Sequence, residues 1–427
     1  MAQIGLPGRY PPGGGYPPGQ YPGRYPGSTG TGTPAPSRGS RRTTEQKAAA
    51  PEPHTYSGVI RKLDTKSLTL ELADTRFLII EISGSTTKPD LKTGDGADVV
   101  ATEDTEGNFQ AVSIKPNDEI AKTIDANDQI EPEERTGPPP TILTRPNAAA
   151  DDDDSGPPRL KRGKPPVRAS AREPEQDSDT PPAQEVRAEL PPPVDQRQLF
   201  VEKAREVAAG FLEGLPNYVC QEVTTRYVSE TRVPSWNVLD VVSAEVVFDD
   251  GKESYRNVTI GGKPTKKSPE ESGAWSTGEF GTILAALFSP GTDAKFRYTE
   301  DATVAHHAAS VYDFQVERLR STWTIHVPGQ YIVPAHKGSV WIDKQSAHAL
   351  RIEMQAKDVP KEFPLITAET AVDYDYISLG TPEKFLLPVH AEVLSCLRGS
   401  NQCEKNVIDF RNYHKFSGES TIKFNDQ

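Results

Sequence analysis

The sequence predicts a mainly β protein with disordered segments: a small five-stranded barrel and a large antiparallel sheet carrying two helices. Three observations lead there. The 39 Pro are spread unevenly, 26 of them falling in residues 1–53 and 118–195. Five short β-rich runs crowd into residues 54–117. All four Trp and all three Cys fall in residues 196–427, where apolar and polar residues alternate strand after strand. The 35% hydrophobic content therefore describes a chain diluted by tethers, not one poorly packing body. A net charge of -13 argues against a nucleic-acid binder, which needs a basic surface.

Residues 1–53 hold 11 Pro and 11 Gly, with Tyr10, Tyr16, Tyr21 and Tyr25 in Tyr-Pro steps. Such a segment buries too little apolar surface to offset chain ordering, so a disordered, partly polyproline tail is expected. Two readings stand: a solvated tail, or a Tyr/Arg arm that touches cell wall, glycan or an anionic surface by charge and stacking.

Residues 54–117 read as strands at Tyr56–Leu63, Ser67–Leu72, Arg76–Ile82, Ala97–Thr102 and Phe109–Ile114. Ser67-Leu68-Thr69-Leu70-Glu71-Leu72 has the period of a half-buried strand, and Gly94-Asp95-Gly96 and Glu106-Gly107-Asn108 are turn sequences. Five strands in this length suggest an OB- or SH3-like barrel. With Phe77 and Phe109 as its only Phe and an acidic balance, the module is poorly suited to stacking single-stranded nucleic acid.

Residues 118–195 contain 15 Pro and no Phe, Trp or Tyr, so a disordered charged linker is expected. Asp151–Asp154 lacks the spaced ligands and Gly of a calcium loop. Arg159, Lys161, Arg162, Lys164 and Arg168 form a basic block that could touch anionic lipid or wall polymer, weakened by its acidic neighbour.

The large domain, residues 196–427, opens with a helix near 196–213. Asp195 and Gln198 form a capping box, Phe200, Ala204, Val207, Ala208, Phe211 and Leu212 make one apolar stripe, and Gly214 and Pro216 end it. A strand at Tyr218–Val228 and a hairpin, Val241–Phe248 with Glu253–Ile260, follow. A second helix is expected near 277–288, capped by Ser276 and Glu279. Its apolar face is Phe280, Ile283, Leu284, Leu287 and Phe288, and Gly278 and Gly281 weaken its start. It reads either as a core helix or as a movable lid. Alternation at Tyr312/Phe314/Val316, Trp323/Ile325/Val327, Leu350/Ile352/Met354 and Val372/Tyr374/Tyr376 means one buried and one wet face, hence antiparallel pairing. Val340 and Ile342 oppose Trp341, a strand covered on both faces.

Cys396 and Cys403 bracket a short loop between two expected strands. Opposed hairpin positions suit a disulfide, against two free thiols or a metal pair. A disulfide implies an oxidising compartment. Cys220 reads as a buried small hydrophobe. Met1–Leu6 is not an export signal, and no run of about 20 apolar residues could span a membrane as a helix. The expected location is periplasmic or secreted, with the signal not present in this chain; the rival is a cytosolic protein with reduced cysteines. Metalloprotease, nucleophile-elbow and phosphate-loop signatures are missing from the sequence. Asp343 and Arg351 read as a structural pair across a hairpin. No enzyme, cofactor or metal is expected; the enzyme reading would regain standing if His326, Asp343 and His390 met in a cleft.

Two resemblances add to this. Gly58-Val59-Ile60, Leu68-Thr69-Leu70, Thr86-Thr87-Lys88 and Gly94-Asp95-Gly96-Ala97-Asp98-Val99 resemble a small bacterial envelope β-barrel domain of unknown function. Gly338-Ser339-Val340-Trp341-Ile342-Asp343-Lys344, followed by Leu350-Arg351-Ile352-Glu353, resembles the lipoprotein-carrier fold of LolA, LolB and RseB-type stress sensors, as found in uncharacterised secreted proteins of soil bacteria. That resemblance implies an antiparallel half-barrel whose helices plug a concave face that holds acyl chains. The leading expectation is an exported, non-enzymatic envelope protein that binds a lipid or other hydrophobic ligand, with Leu284, Leu287, Trp323 and Trp341 as pocket candidates. The alternative is a structural adaptor of the envelope or cell wall, two modules on a flexible linker with no ligand cavity.

Overall fold

The structure, a computed structural model, describes residues 3–5, 52–87, 90–129, 160, 194–211, 214–249, 252–267, 275–277, 279, 281–380 and 382–415. Most of the two segments expected to be disordered lies outside the described residues.

The small module is a closed barrel of β2 (Pro53–Leu63), β3 (Ser67–Leu72), β4 (Arg76–Thr87), β5 (Gly96–Glu103) and β6 (Phe109–Pro116). The order is β4-β3-β2-β5-β6, and a parallel β4–β6 pairing from Ile80↔Phe109 closes the ring. Inward positions of each strand fill it: Ile60, Leu68, Leu70, Leu78, Ile80 and Val99 are buried. Apolar side chains removed from water at about 25 cal/mol per Å² hold so small a body together. A helix, α1 (Asp118–Gln129), stands where linker was expected and covers one end. Ile124 is buried and Ile120 half-buried, and the helix packs on β2 and β5. The Asn117 side chain reaches the Ile120 amide and Asp98 Oδ1, tying the helix start to β5.

The second body is an 11-stranded sheet with every pairing antiparallel, as the alternation required. Its order is β10 (Lys263–Pro264), β9 (Lys252–Ile260), β8 (Asn237–Asp249), β7 (Tyr218–Ser229), β20 (Cys403–Lys415), β19 (Lys384–Leu397), β18 (Leu365–Ser378), β17 (Ala349–Lys357), β16 (Ala335–Asp343), β13 (His307–Val316) and β12 (Lys295–Val304). Two helices, α2 (Val194–Ala209) and α3 (Thr282–Phe288), pack on each other and join one core with the sheet's inner side chains. The second helix is shorter than the expected 277–288. Residues 275–277 are a strand, β11 (Trp275–Thr277), and Gly281 at φ 124 stands where the helix begins, a conformation that favours glycine and precludes an earlier helical turn.

Cys396 and Cys403 are register partners joined by a disulfide, with Cα atoms 4.0 Å apart. Closing this short loop stabilises the hairpin by about 2.5 kcal/mol in the chain-entropy model. Asp343 and Arg351 do not pair, because Trp341 is the register partner of Arg351. Asp343 instead accepts the Gln345 and Ser346 amides in the β16–β17 turn and meets His307 at 3.1 Å.

Two further strands depart from expectation. Thr324–Val327 (β14) and Gln330–Ile332 (β15) form a hairpin that leaves the large sheet and joins the barrel. β15 pairs antiparallel with the start of β4, Tyr331 opposite Phe77, and the two rings stack at 4.7 Å. The Ile79 amide donates to Gly329 O at 2.8 Å, and Arg76 Nη1 reaches Gln330 Oε1 and Glu362 O. Gln3–Gly5 (β1) adds a parallel strand beside β14, with β11 outside it, so these three residues of the expected tail are paired. Without β1 the edge of β14 would present unpaired backbone groups, which an extended segment with a β-former such as Ile4 satisfies.

Candidate functional site

The concave face of the large sheet is where a ligand could sit, and α2 and α3 cover it. Four of the seven α3 residues, Ile283, Leu284, Leu287 and Phe288, are buried, and no side chain caps its start. Below it the packing is nearly complete. Leu287 and Trp323 share a void of about 20 Å³ with Ile283, His336 and Met354. Leu284 lines another of about 10 Å³ with Phe211, Phe288 and Leu386. Neither volume holds more than a water molecule. Trp341 lies elsewhere: it is on the outer face beside Arg351, whose guanidinium is 5.7 Å from its ring. Thus Leu284, Leu287 and Trp323 gather around α3, and Trp341 does not.

A larger opening, about 760 Å³, lies on the barrel beside Lys66, Glu81 and Gln110; on the large sheet the open space is at the edge. Between α2 and β12 runs a cleft of about 510 Å³, within the range of small-molecule sites. Phe296, Tyr298 and Tyr312 line it among charged side chains, Glu202 included. Phe288 stacks on Phe296 at 5.5 Å, and Phe200 on Tyr312 at 6.3 Å. Two arginines one helical face apart line it. Arg205 donates to Phe288 O and Ala294 O, so it ties α2 to the end of α3 and the start of β12. Arg197 lies 3.9 Å above the Tyr298 ring, and its buried Nε has no hydrogen-bond partner among the described residues. Other cations on the rim are paired, Lys295 with Asp293 and Arg297 with Asp313. Burial pushes the Tyr312 hydroxyl up to about 12, against the opposing pull of Arg197, so it stays a neutral donor. The cleft therefore offers ring faces and, on Arg197, a guanidinium stacked on Tyr298 whose Nε has no hydrogen-bond partner among the described residues. Part of it is legible in the sequence: Phe200 and Tyr312 belong to the periodic apolar patterns of a helix and a strand. The arginines are not, because helix charges usually mark a solvated face and the facing strand lies about 100 residues on.

Behind the cleft, His336 is buried against Trp323 at 5.6 Å and Ser321, and burial lowers its pKa to about 4. The three residues that would have revived the enzyme reading are separate. His326 stacks on Tyr331 in the barrel hairpin, Asp343 caps a turn, and His390 meets Asp409 at 3.0 Å on the outer face. Burial opposes the charge on His390, but Glu392 and Asp409 outweigh it and raise its pKa. Cys220 is buried, and burial raises its thiol pKa, so it is held as the neutral thiol. Among the described residues no three His, Cys, Asp or Glu are grouped to hold a metal ion, and no helix is long and apolar enough to cross a membrane.

Fold and site together define a two-sheet β protein: a closed barrel docked by a hairpin to an antiparallel sheet whose concave face two helices cover. No family model matches the chain, and no curated protein does. It is similar to solved structures over 52% of its length. One is a domain assigned to outer membrane lipoprotein sorting, from Vibrio parahaemolyticus, with 11% identity, 94% of that chain covered and a TM-score of 0.27. Another is a DUF1329 family protein from Desulfovibrio piger, with 11% identity, 95% covered and a TM-score of 0.27. A third is the MucA/MucB complex of Pseudomonas aeruginosa, with 10% identity, 99% covered and a TM-score of 0.17. Likeness at TM-scores this low says nothing about function, which has to come from the chain's own residues.

Proposed function

We propose that this protein is a non-enzymatic binding protein of the cell envelope, periplasmic or secreted, whose large sheet holds an anionic amphiphile such as a lipid. The observation that carries the reading is the α2–β12 cleft, where Phe296, Tyr298 and Tyr312 stand beside the Arg197 guanidinium, whose Nε has no hydrogen-bond partner among the described residues. An acyl chain fits against Phe296, Tyr298 and Tyr312, and a carboxylate or phosphate meets the guanidinium in a charge-assisted contact. Displacement of the short, uncapped α3 would extend the cleft over Leu284, Leu287 and Trp323. The Cys396–Cys403 disulfide supports an oxidising compartment.

The test is denaturing mass spectrometry of gently purified full chain, with titration of a fluorescent fatty acid. Lipid should co-purify, and Arg197→Glu should weaken fatty-acid binding at least tenfold. If no lipid co-purifies and no fatty acid binds, the reading fails. A second reading, a structural adaptor without a ligand, is favoured by the filled packing under α3. It predicts that failed outcome, together with partners whose capture needs both modules.

A further inference from the structure

We propose that the outer face of the large sheet is a docking surface for a basic segment of this same chain, residues 159–168, anchored by Leu160. The proposal is independent of the lipid reading, which concerns the opposite face. Leu160 is the first observation. It is half-buried and packs on a separate apolar cluster of Leu394, Cys396, Cys403 and Trp236. Its backbone N–H donates to Glu369 Oε2 at 2.8 Å, while Glu369 Oε1 accepts from Gln355. A main-chain donor held by a buried carboxylate beside an apolar seat is how an extended peptide is gripped.

Charge is the second observation. Residues 159–168 carry Arg159, Lys161, Arg162, Lys164 and Arg168 and no acidic residue. The outer face near the seat presents Glu353, Glu369, Asp373, Glu392 and Asp409. Register places Glu369 opposite Gln355 and Leu394, and Asp373 opposite Arg351 and His390. Within the face, Arg351 takes Asp373 and Glu353, His390 takes Asp409 and Glu392, Arg411 also meets Asp409, and Lys405 turns to the Tyr227 and Trp236 rings. An incoming basic segment would meet a face on which these carboxylates are concentrated.

Burial is the third. Trp341, Arg351 and Asp373 are only 4–6% exposed, although they stand on the side of the sheet away from both helices. An uncovered outer face would leave such side chains wet. The segment proposed to run on from Leu160 would add to the cover that Arg351 gives Trp341 and Asp373. Pro165 and Pro166 favour the extended conformation that such docking needs.

Limited trypsin digestion of the full chain tests this. The bonds after Arg159, Lys161 and Arg162 are compared with Arg187–Ala188 in the same tether, each rate normalised to the urea-unfolded chain. In 50 mM NaCl the first group should be cut at least tenfold more slowly. Leu160→Asp should bring the groups within twofold. The triple variant Lys161→Glu, Arg162→Glu, Lys164→Glu should do the same at the remaining Arg159–Leu160 bond. These substitutions lie outside both cores, so folding is preserved, and an unchanged unfolding midpoint checks it. Equal normalised rates in the wild-type chain overturn the proposal. So does slow cleavage that survives Leu160→Asp or the triple variant.

Discussion

Replacing Gly329 with Ala should undock the barrel from the large sheet without unfolding either. Gly329 sits in the β14–β15 turn at φ 70, and an added Cβ would lie 2.2 Å from Gly107 O and 2.8 Å from Phe109 Cδ2. The backbone conformation alone costs about 1–2 kcal/mol for a non-glycine residue. Relieving the contact with Gly107 and Phe109 costs about 1–3 kcal/mol more. Gly399 provides the matched control: its φ is 74, and nothing lies within 4 Å of its added Cβ. Subtracting Gly399→Ala from Gly329→Ala leaves the docking contact. That difference, about 1–3 kcal/mol, shifts the docking equilibrium by roughly 5- to 150-fold. Hydrogen exchange reads it directly, because the Ile79 amide donates to Gly329 O. Peptides spanning 76–82 and 325–332 should exchange faster by that factor in Gly329→Ala alone, with β7 and β20 unchanged. Identical exchange in the two variants would refute the reasoning.

Two further outcomes are expected. His336 has a folded-state pKa of about 4, below its unfolded value near 6.5, so it is neutral in the core. Its contribution is present above about pH 6.5 and is lost as pH falls toward 4; urea unfolding should show about 2 kcal/mol of it lost by pH 5, and His336→Gln should remove that part of the slope. Arg351 donates to both Asp373 oxygens at 2.6 Å inside a buried pair, with burial itself raising the Asp373 pKa. Arg351→Met should cost about 3–5 kcal/mol by urea denaturation, because it strands a buried carboxylate, and adding Asp373→Asn should recover much of it; a loss below about 1 kcal/mol would show that water reaches the pair.

Alternation made most of the large sheet legible, since period-two patterns at Leu350/Ile352/Met354 and Val372/Tyr374 admit one inward face. The disulfide was readable from two Cys flanking a turn between strands. What escaped was nonlocal or sparse. β14 and β15 are four and three residues long, too short for their pattern to say which sheet they join. The helix at Asp118–Gln129 has little apolar surface beyond Ile120, Ala121 and Ile124, so composition hid it. The seat of Leu160 was invisible because a lone leucine among five cations looks solvated until its partners, some 75 to 240 residues on, come into place. The cleft escaped for the same reason, since Arg197 and Tyr298 meet only when the sheet edge folds under the helix.

The β15–β4 pairing also sets a timetable. Arg76 and Gln330 are 254 positions apart, so the barrel can be complete long before its docking strand exists. At 5–20 residues per second of synthesis, the edge at Arg76–Leu78 waits roughly 13–50 s for its partner. An unpaired edge is a template for wrong strands during that interval. Asp74 and Arg76, paired at 2.7 Å beside Phe77, put charge at that edge. Their first service is therefore to the nascent chain, guarding a place in the sheet for a hairpin not yet made.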